Sequence, residues 1–169
     1  MLHYSEYGAG RPLIILHGLL GSSENWVRIA RELGVYFNVI TVDLRNHGMS
    51  FHRDEMNYEV MAEDVMALMR YYSWDSPVIM GHSMGGMIVQ EMVKISSKSI
   101  NKLICFGTGS IGDIPGRFES LDKSIERLKE EGIDETVKRI PPKWFVKGNL
   151  AENYYLCDTK TRNPPKPNH

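Results

Sequence analysis

Pro77-Val78-Ile79-Met80-Gly81-His82-Ser83-Met84-Gly85-Gly86 decides how the rest of the chain is read. A short apolar run ends in Gly-x-Ser-x-Gly, and a helical pattern starts at once. A strand, a sharp turn and a helix in this order form a nucleophile elbow, which holds a serine out on the bend. So tight a bend leaves no room for bulk two residues before or after the serine, and Gly81 and Gly85 stand there. Ser83 is then expected at the carboxyl end of its strand. The helix that follows would offer the Met84 N–H and a positive dipole end to a developing oxyanion. The same letters also fit a plain helix-entry turn in which Ser83 only caps the helix.

The chain around this stretch has 169 residues, of which 42% are hydrophobic. That is enough for one sizeable core, so one domain is expected. Lys and Arg number 20 against 21 Asp and Glu, for a net charge of -1. No basic block stands out, which argues against a nucleic-acid partner. The start, Met1-Leu2-His3-Tyr4-Ser5-Glu6-Tyr7, lacks the basic opening and long apolar run of a signal peptide. No stretch nears the ~18 apolar residues of a membrane span. Cys105 and Cys157 do not make a disulfide framework, and a reducing, cytoplasmic setting fits them. The six histidines are scattered without metal-ligand spacing, so no metal or other cofactor is expected.

Taken in order, Leu2 to Tyr7 reads as a short edge strand and Gly8-Ala9-Gly10 as a turn. Pro12 to Leu16 is a continuous apolar run, suited to a parallel sheet covered on both faces. Ser23 is a plausible cap for a helix with Trp26, Ile29, Ala30 and Leu33 on one side. Phe37 to Val42 is the next strand, and Leu44 to Asp54 a loop rich in Gly, Asn, His and Arg. Asn57 can cap a helix whose stripe is Tyr58, Met61, Val65, Leu68 and Tyr72. After the Ser83 strand comes a helix from about Met84 to Ser96, then a strand at Lys102 to Phe106. Alternating strands and helices predict a right-handed, doubly wound α/β fold with a mostly parallel sheet. His17, Asp43 and Ser83 would gather at the carboxyl ends of its strands. Further on, Phe118 to Glu131 has helical spacing with a strongly charged opposite face. A second short helix stops at Pro141-Pro142, Trp144-Phe145 follows, and 159–169 is a polar, Pro-rich tail expected to be disordered.

Three landmarks stand together: His17-Gly18-x-x-Gly21-Ser22, Asp43-x-Arg45-x-His47-Gly48-x-Ser50, and Gly81-His82-Ser83-Met84-Gly85-Gly86. In this order and spacing the chain resembles the α/β-hydrolase family, and is similar to its enol-lactonase and small-ester hydrolase branch. The resemblance covers Leu2 to about Gly109. It implies that Ser83 is the nucleophile, and that the backbone N–H groups of Leu19 and Met84 form the oxyanion hole. It also implies a core over 1–112 and the start of a helical cap over 113–158.

The family carries its acid after a later strand and its histidine in a loop after the last strand. Neither has a counterpart here, so the resemblance implies a copy truncated before both. Asp113 is the acidic residue nearest an alternative position. His17 belongs to the oxyanion turn, His47 to a bracing loop, and His82 points to the face opposite its neighbour Ser83. A serine hydroxyl without a base is a weak nucleophile.

Two functions are compatible with these residues. One is a serine hydrolase of small carboxylic esters or lactones acting through an acyl-enzyme on Ser83. The other is a catalytically inactive relative, or a binder of small molecules, that keeps the fold. In either case the strand Lys102 to Phe106 is left as an apolar edge. It is expected to pair with a second copy or a complementing chain.

Overall fold

The computed structural model describes residues 1–110 and 119–140. Its elements are β1 (Tyr4–Tyr7), β2 (Pro12–Leu16), a 3-10 turn (Ser23–Trp26) running into α1 (Val27–Leu33), and β3 (Asn38–Val42). Then follow α2 (Tyr58–Tyr71), β4 (Val78–His82), α3 (Met84–Ser96), β5 (Lys102–Phe106) and α4 (Leu121–Arg139). The strands form one sheet in the order β1-β3-β2-β4-β5. β1 runs antiparallel to β3, and the other three pairings are parallel.

The apolar run of β2 is explained by what covers it. Side chains alternate between faces along a strand. Ile14 and Leu16 join Ile40, Val42 and Ile79 beneath α2 and α3. Leu13 and Ile15 join Val39 and Val78 beneath Trp26 and Ala30. Both faces are buried, as a parallel sheet requires. Asn57 caps α2 as expected, its Oδ1 accepting the Val60 N–H at 2.8 Å. Met84, Met92 and Ile88 of α3 lie in the core.

Several expected contacts are not made. Ile29 is 41% exposed, because only Trp26, Ala30 and Leu33 of this short helix face the sheet. Tyr58 and Tyr72, the two ends of the α2 stripe, are exposed as well. The first cap is one residue early: Ser22, with Asn25, forms a capping box at the 3-10 turn. Phe37 packs on the core but precedes β3.

The charged segment forms one long helix with a break. Gly132, at φ +77°, interrupts α4, so the expected helix stops at Glu131 and a second arm runs on to Arg139. Ion pairs from Glu119 to Arg139 and from Arg139 to Glu131 fasten the arms together. Ile125 and Leu128 of α4 are exposed. Phe118, Asp113, Pro141-Pro142, Trp144-Phe145, Cys157 and the tail lie outside the described residues. Among the described residues no helix is long and apolar enough to cross a membrane.

Among the described residues β5 pairs with β4 alone, and all five of its residues are exposed. Ile104 and Phe106, at 45% and 58%, lie on the face that α1 covers farther along the sheet. An unpaired apolar edge of this kind recruits other edges. The isolated chain is therefore expected to sediment as a concentration-dependent mixture. Ile104→Lys should shift it towards monomer without lowering its melting temperature, since the side chain is half in solvent already. A chain that stays monomeric at micromolar concentration contradicts this.

Candidate active site

Ser83 has φ +51° and ψ -116°, outside the ordinary regions for a residue with a side chain. Such a conformation costs on the order of 1–3 kcal/mol and persists only where neighbours over-determine it. The neighbours are visible. The Ser83 N–H donates to the Phe106 carbonyl at 3.0 Å, and the Ser83 carbonyl accepts the Gly86 N–H at 2.9 Å. A Cβ on Gly81 would run into the backbone of Gly85. One on Gly85 would strike the Leu16 and His17 carbonyls, and one on Gly86 the Thr108 side chain. Three strand ends thus meet here through glycine alone. Ser83 also stands at the N-cap of α3, yet its hydroxyl makes no capping hydrogen bond. The plain capping role is excluded.

The turn after β2 lies directly against the elbow. A Cβ on Gly18 would come within 3.2 Å of Ser83 Cβ and of His82 Nδ1. His17 sets the orientation of this turn. Its Nδ1–H donates to the Gly18 carbonyl at 2.7 Å, and its Nε2 accepts the Leu44 N–H at 3.0 Å. The Gly18 carbonyl also accepts the Gly21 N–H at 3.0 Å. A trans peptide points its N–H opposite to its C=O. The Leu19 N–H is therefore turned away from the buried His17 ring. Met84 opens α3, so its N–H belongs to the first turn, where donors have no partner within the helix.

Beneath this turn sits a buried carboxylate. Asp43 Oδ1 accepts the Ser23 N–H at 2.6 Å, and Oδ2 accepts the Met49 N–H at 2.8 Å. The His3 ring lies 3.1 Å from Oδ2. Burial pushes the Asp43 pKa up, but these backbone donors outweigh it and hold the group below the usual carboxylate range. Gly48, at φ +53°, is required because a Cβ there would overlap the carboxylate. Arg45 spans the same loop with a two-point pair to Asp64, at 2.7 and 3.0 Å, and a bond to the Glu55 carbonyl. The Asn46 side chain accepts the Arg53 N–H on Oδ1 and donates from Nδ2 to the Arg53 carbonyl. The Arg, Asn and Gly of this loop brace it, as expected from the sequence. Asp43 as the acceptor of three segments was not foreseen. Its partners are up to 40 residues away, and only the Asp43-to-Ser50 motif hinted at it.

No histidine hydrogen-bonds the Ser83 hydroxyl among the described residues. His17 has both ring nitrogens committed, and burial, with His47 beside it, pushes its pKa down to about 3. His47 bonds the Arg45 carbonyl through Nδ1, and burial lowers its pKa too. His82 packs between Trp26 and Phe106 on the face away from α2 and α3, and burial likewise lowers its pKa. A groove lined by Met66, Trp74 and Lys98 lies at the other end of β4 and plays no part in this site. Among the described residues no three metal-ligating side chains converge.

Comparison with known proteins bears on the fold that carries these residues. Residues 11–137 match the family model described as the alpha/beta hydrolase fold. Esterase YbfF of Escherichia coli is 34% identical over 119 residues, which cover 70% of this chain and 47% of that protein. The sn-1-specific diacylglycerol lipase ABHD11 of Xenopus tropicalis is 31% identical over 166 residues, covering 88% of this chain and 52% of that one. A solved thermophilic esterase from Thermogutta terrifontis superposes with a TM-score of 0.79 at 24% identity, covering 95% of this chain and 60% of that one. The chain belongs to the α/β-hydrolase fold family. It spans about half the length of the two curated relatives.

The His17 arrangement predicts a pH dependence. Its folded pKa is depressed, so between about 6.5 and about 3 the unfolded chain binds a proton that the fold excludes. The stability due to neutral His17 is complete above that window and is lost as pH falls through it. Thermal unfolding should show a melting temperature that drops from pH 7 to pH 4.5. His17→Gln should be less stable at pH 7, with a shallower drop. Equal slopes for both chains would refute the assignment.

Proposed function

We propose that the chain acts on small carboxylic esters or lactones, with Ser83 as nucleophile. One observation carries this reading: the strained Ser83 has a hydroxyl free of any capping role, beside the Gly18 turn. Ser83 Oγ would bond to the acyl carbon, and the carbonyl oxygen would become an oxyanion. The N–H groups of Leu19 and Met84 are the donors proposed for it. Collapse of the intermediate would expel the alcohol, or open the lactone ring, and leave an acyl-serine. Water would then release the acid. Support comes from the relatives named esterase and lipase, and from the orientation of the Gly18–Leu19 peptide. Lactones are cyclic esters and call for the same acyl chemistry.

The hydroxyl proton must go to a base. His3, His17 and His47 hold bracing contacts, His82 packs between Trp26 and Phe106, and His52 is exposed with no bond to Ser83 among the described residues, so none is assigned that role. With donors and binding alone, an acyl-transfer site retains about 10³–10⁴-fold catalysis over water. With no base assigned among the described residues, a second reading is an inactive relative whose site binds small molecules without turning them over.

The two readings separate in one set of measurements. Incubation with a fluorophosphonate should add one probe mass to the chain, located at Ser83 by peptide mapping and lost in Ser83→Ala. Slow hydrolysis of p-nitrophenyl acetate, also abolished by Ser83→Ala, decides for the hydrolase. Saturable binding of an ester without hydrolysis or labelling decides for the binder. A probe attached to another residue overturns the role of Ser83.

A further inference from the structure

The elbow depends on the last strand of the described sheet, which pairs with β4 over all five of its residues. The Ser83 N–H has its acceptor on Phe106, the last residue of β5, and among the described residues β5 is exposed throughout with a neighbour on one side. The pairing with β4 holds the strand as far as Phe106, and the segment beyond it reaches α3. Thr108 lies against Gly86, but among the described residues its buried hydroxyl oxygen has no hydrogen-bond partner, so it supplies contact there and no directional bond. Gly107, at φ +57°, lets the backbone turn back over α3. The polar fastening comes from Gln90. Its side-chain Nε2 donates to the Gly109 carbonyl at 2.9 Å and to the Gly86 carbonyl at 3.1 Å.

We propose that Gln90 is a positioning residue for Ser83: one amide group clasps the segment after β5 to the first turn of α3, and so keeps the Phe106 carbonyl under the Ser83 N–H. Gln90 does not touch the reacting atoms. It acts on the backbone that carries the nucleophile and the Met84 N–H. The chemistry is specific to a donor. A glutamate of the same shape would turn oxygen towards two carbonyl oxygens, and a methionine would fill the space with nothing to donate.

The inference rests on Ser83 being the nucleophile, and the test separates the two. In the full chain, Gln90→Met and Gln90→Glu should slow the limiting rate of fluorophosphonate attachment to Ser83 by ~tenfold, the scale of one hydrogen bond. The probe concentration at half-saturation should stay unchanged. Amide hydrogen exchange at Ser83 should speed up by a similar factor, while Ile14 and Ile15 of β2 keep their protection. Gln90→Lys, which restores an N–H donor, should recover part of both effects. Unchanged exchange at Ser83, or uniform acceleration across the sheet, overturns the role of Gln90. A wild-type chain that takes no label at Ser83 overturns the nucleophile, and the exchange experiment still tests the clasp.

Discussion

The structure turns on a single backbone constraint: residue 83 is held at positive φ by packing that tolerates only glycine on three sides. Gly81 and Gly85 let the strand and helix of the elbow lie against each other, and Gly85 also takes the carbonyls at the end of β2. Gly86 takes Thr108, beyond the end of β5. Three parallel strands therefore converge on one turn at their carboxyl ends, where an open α/β sheet places its ligands. A Cβ on Gly81 would push the elbow strand off α3, and one on Gly85 would push α3 off the end of β2. The strain at Ser83 would then relax into an ordinary helix start, with its hydroxyl free to cap.

A polar scaffold surrounds that turn and fixes what faces it. His17 holds the Gly18 carbonyl on one side and the Leu44 N–H on the other, which ties the turn after β2 to the loop after β3. Asp43 gathers the N-terminal residues, the start of the 3-10 turn and the Met49 loop. Burying a carboxylate is costly unless it is fully hydrogen-bonded, and here backbone donors meet that requirement. The same neutral, buried His17 that orients the turn is unable to serve as a base. Histidine is used here as a spacer with two fixed hydrogen bonds.

Much of this was legible in the sequence, for a physical reason. Strands buried on both faces have to be apolar throughout, so β2 is found with the bounds that its apolar run suggested; β5 keeps its expected bounds although it is exposed. Gly-x-Ser-x-Gly is a steric requirement, and steric requirements show as missing side chains. The cap at Asn57 is equally local. Tertiary choices were not legible. The outward side of Ile29 depends on how far α1 reaches across the sheet. Tyr58 and Tyr72 match the helical period but lie beyond the cover of the core. The partners of Asp43 and Gln90 are polar groups on other elements, and one sequence carries no record of such pairings. The direction of the Leu19 N–H, on which the proposed oxyanion site rests, follows from the His17 bond and not from the identity of residue 19.

The most direct measurement is a crystal structure of the chain with Ser83 phosphonylated, because the phosphonyl oxygen occupies the place of the oxyanion. The account predicts φ near +50° at Ser83 and that oxygen ~3 Å from the amides of Leu19 and Met84 together, as oxyanion donors require. An adduct whose oxygen points into solvent, or a residue 83 relaxed to helical φ, would contradict it.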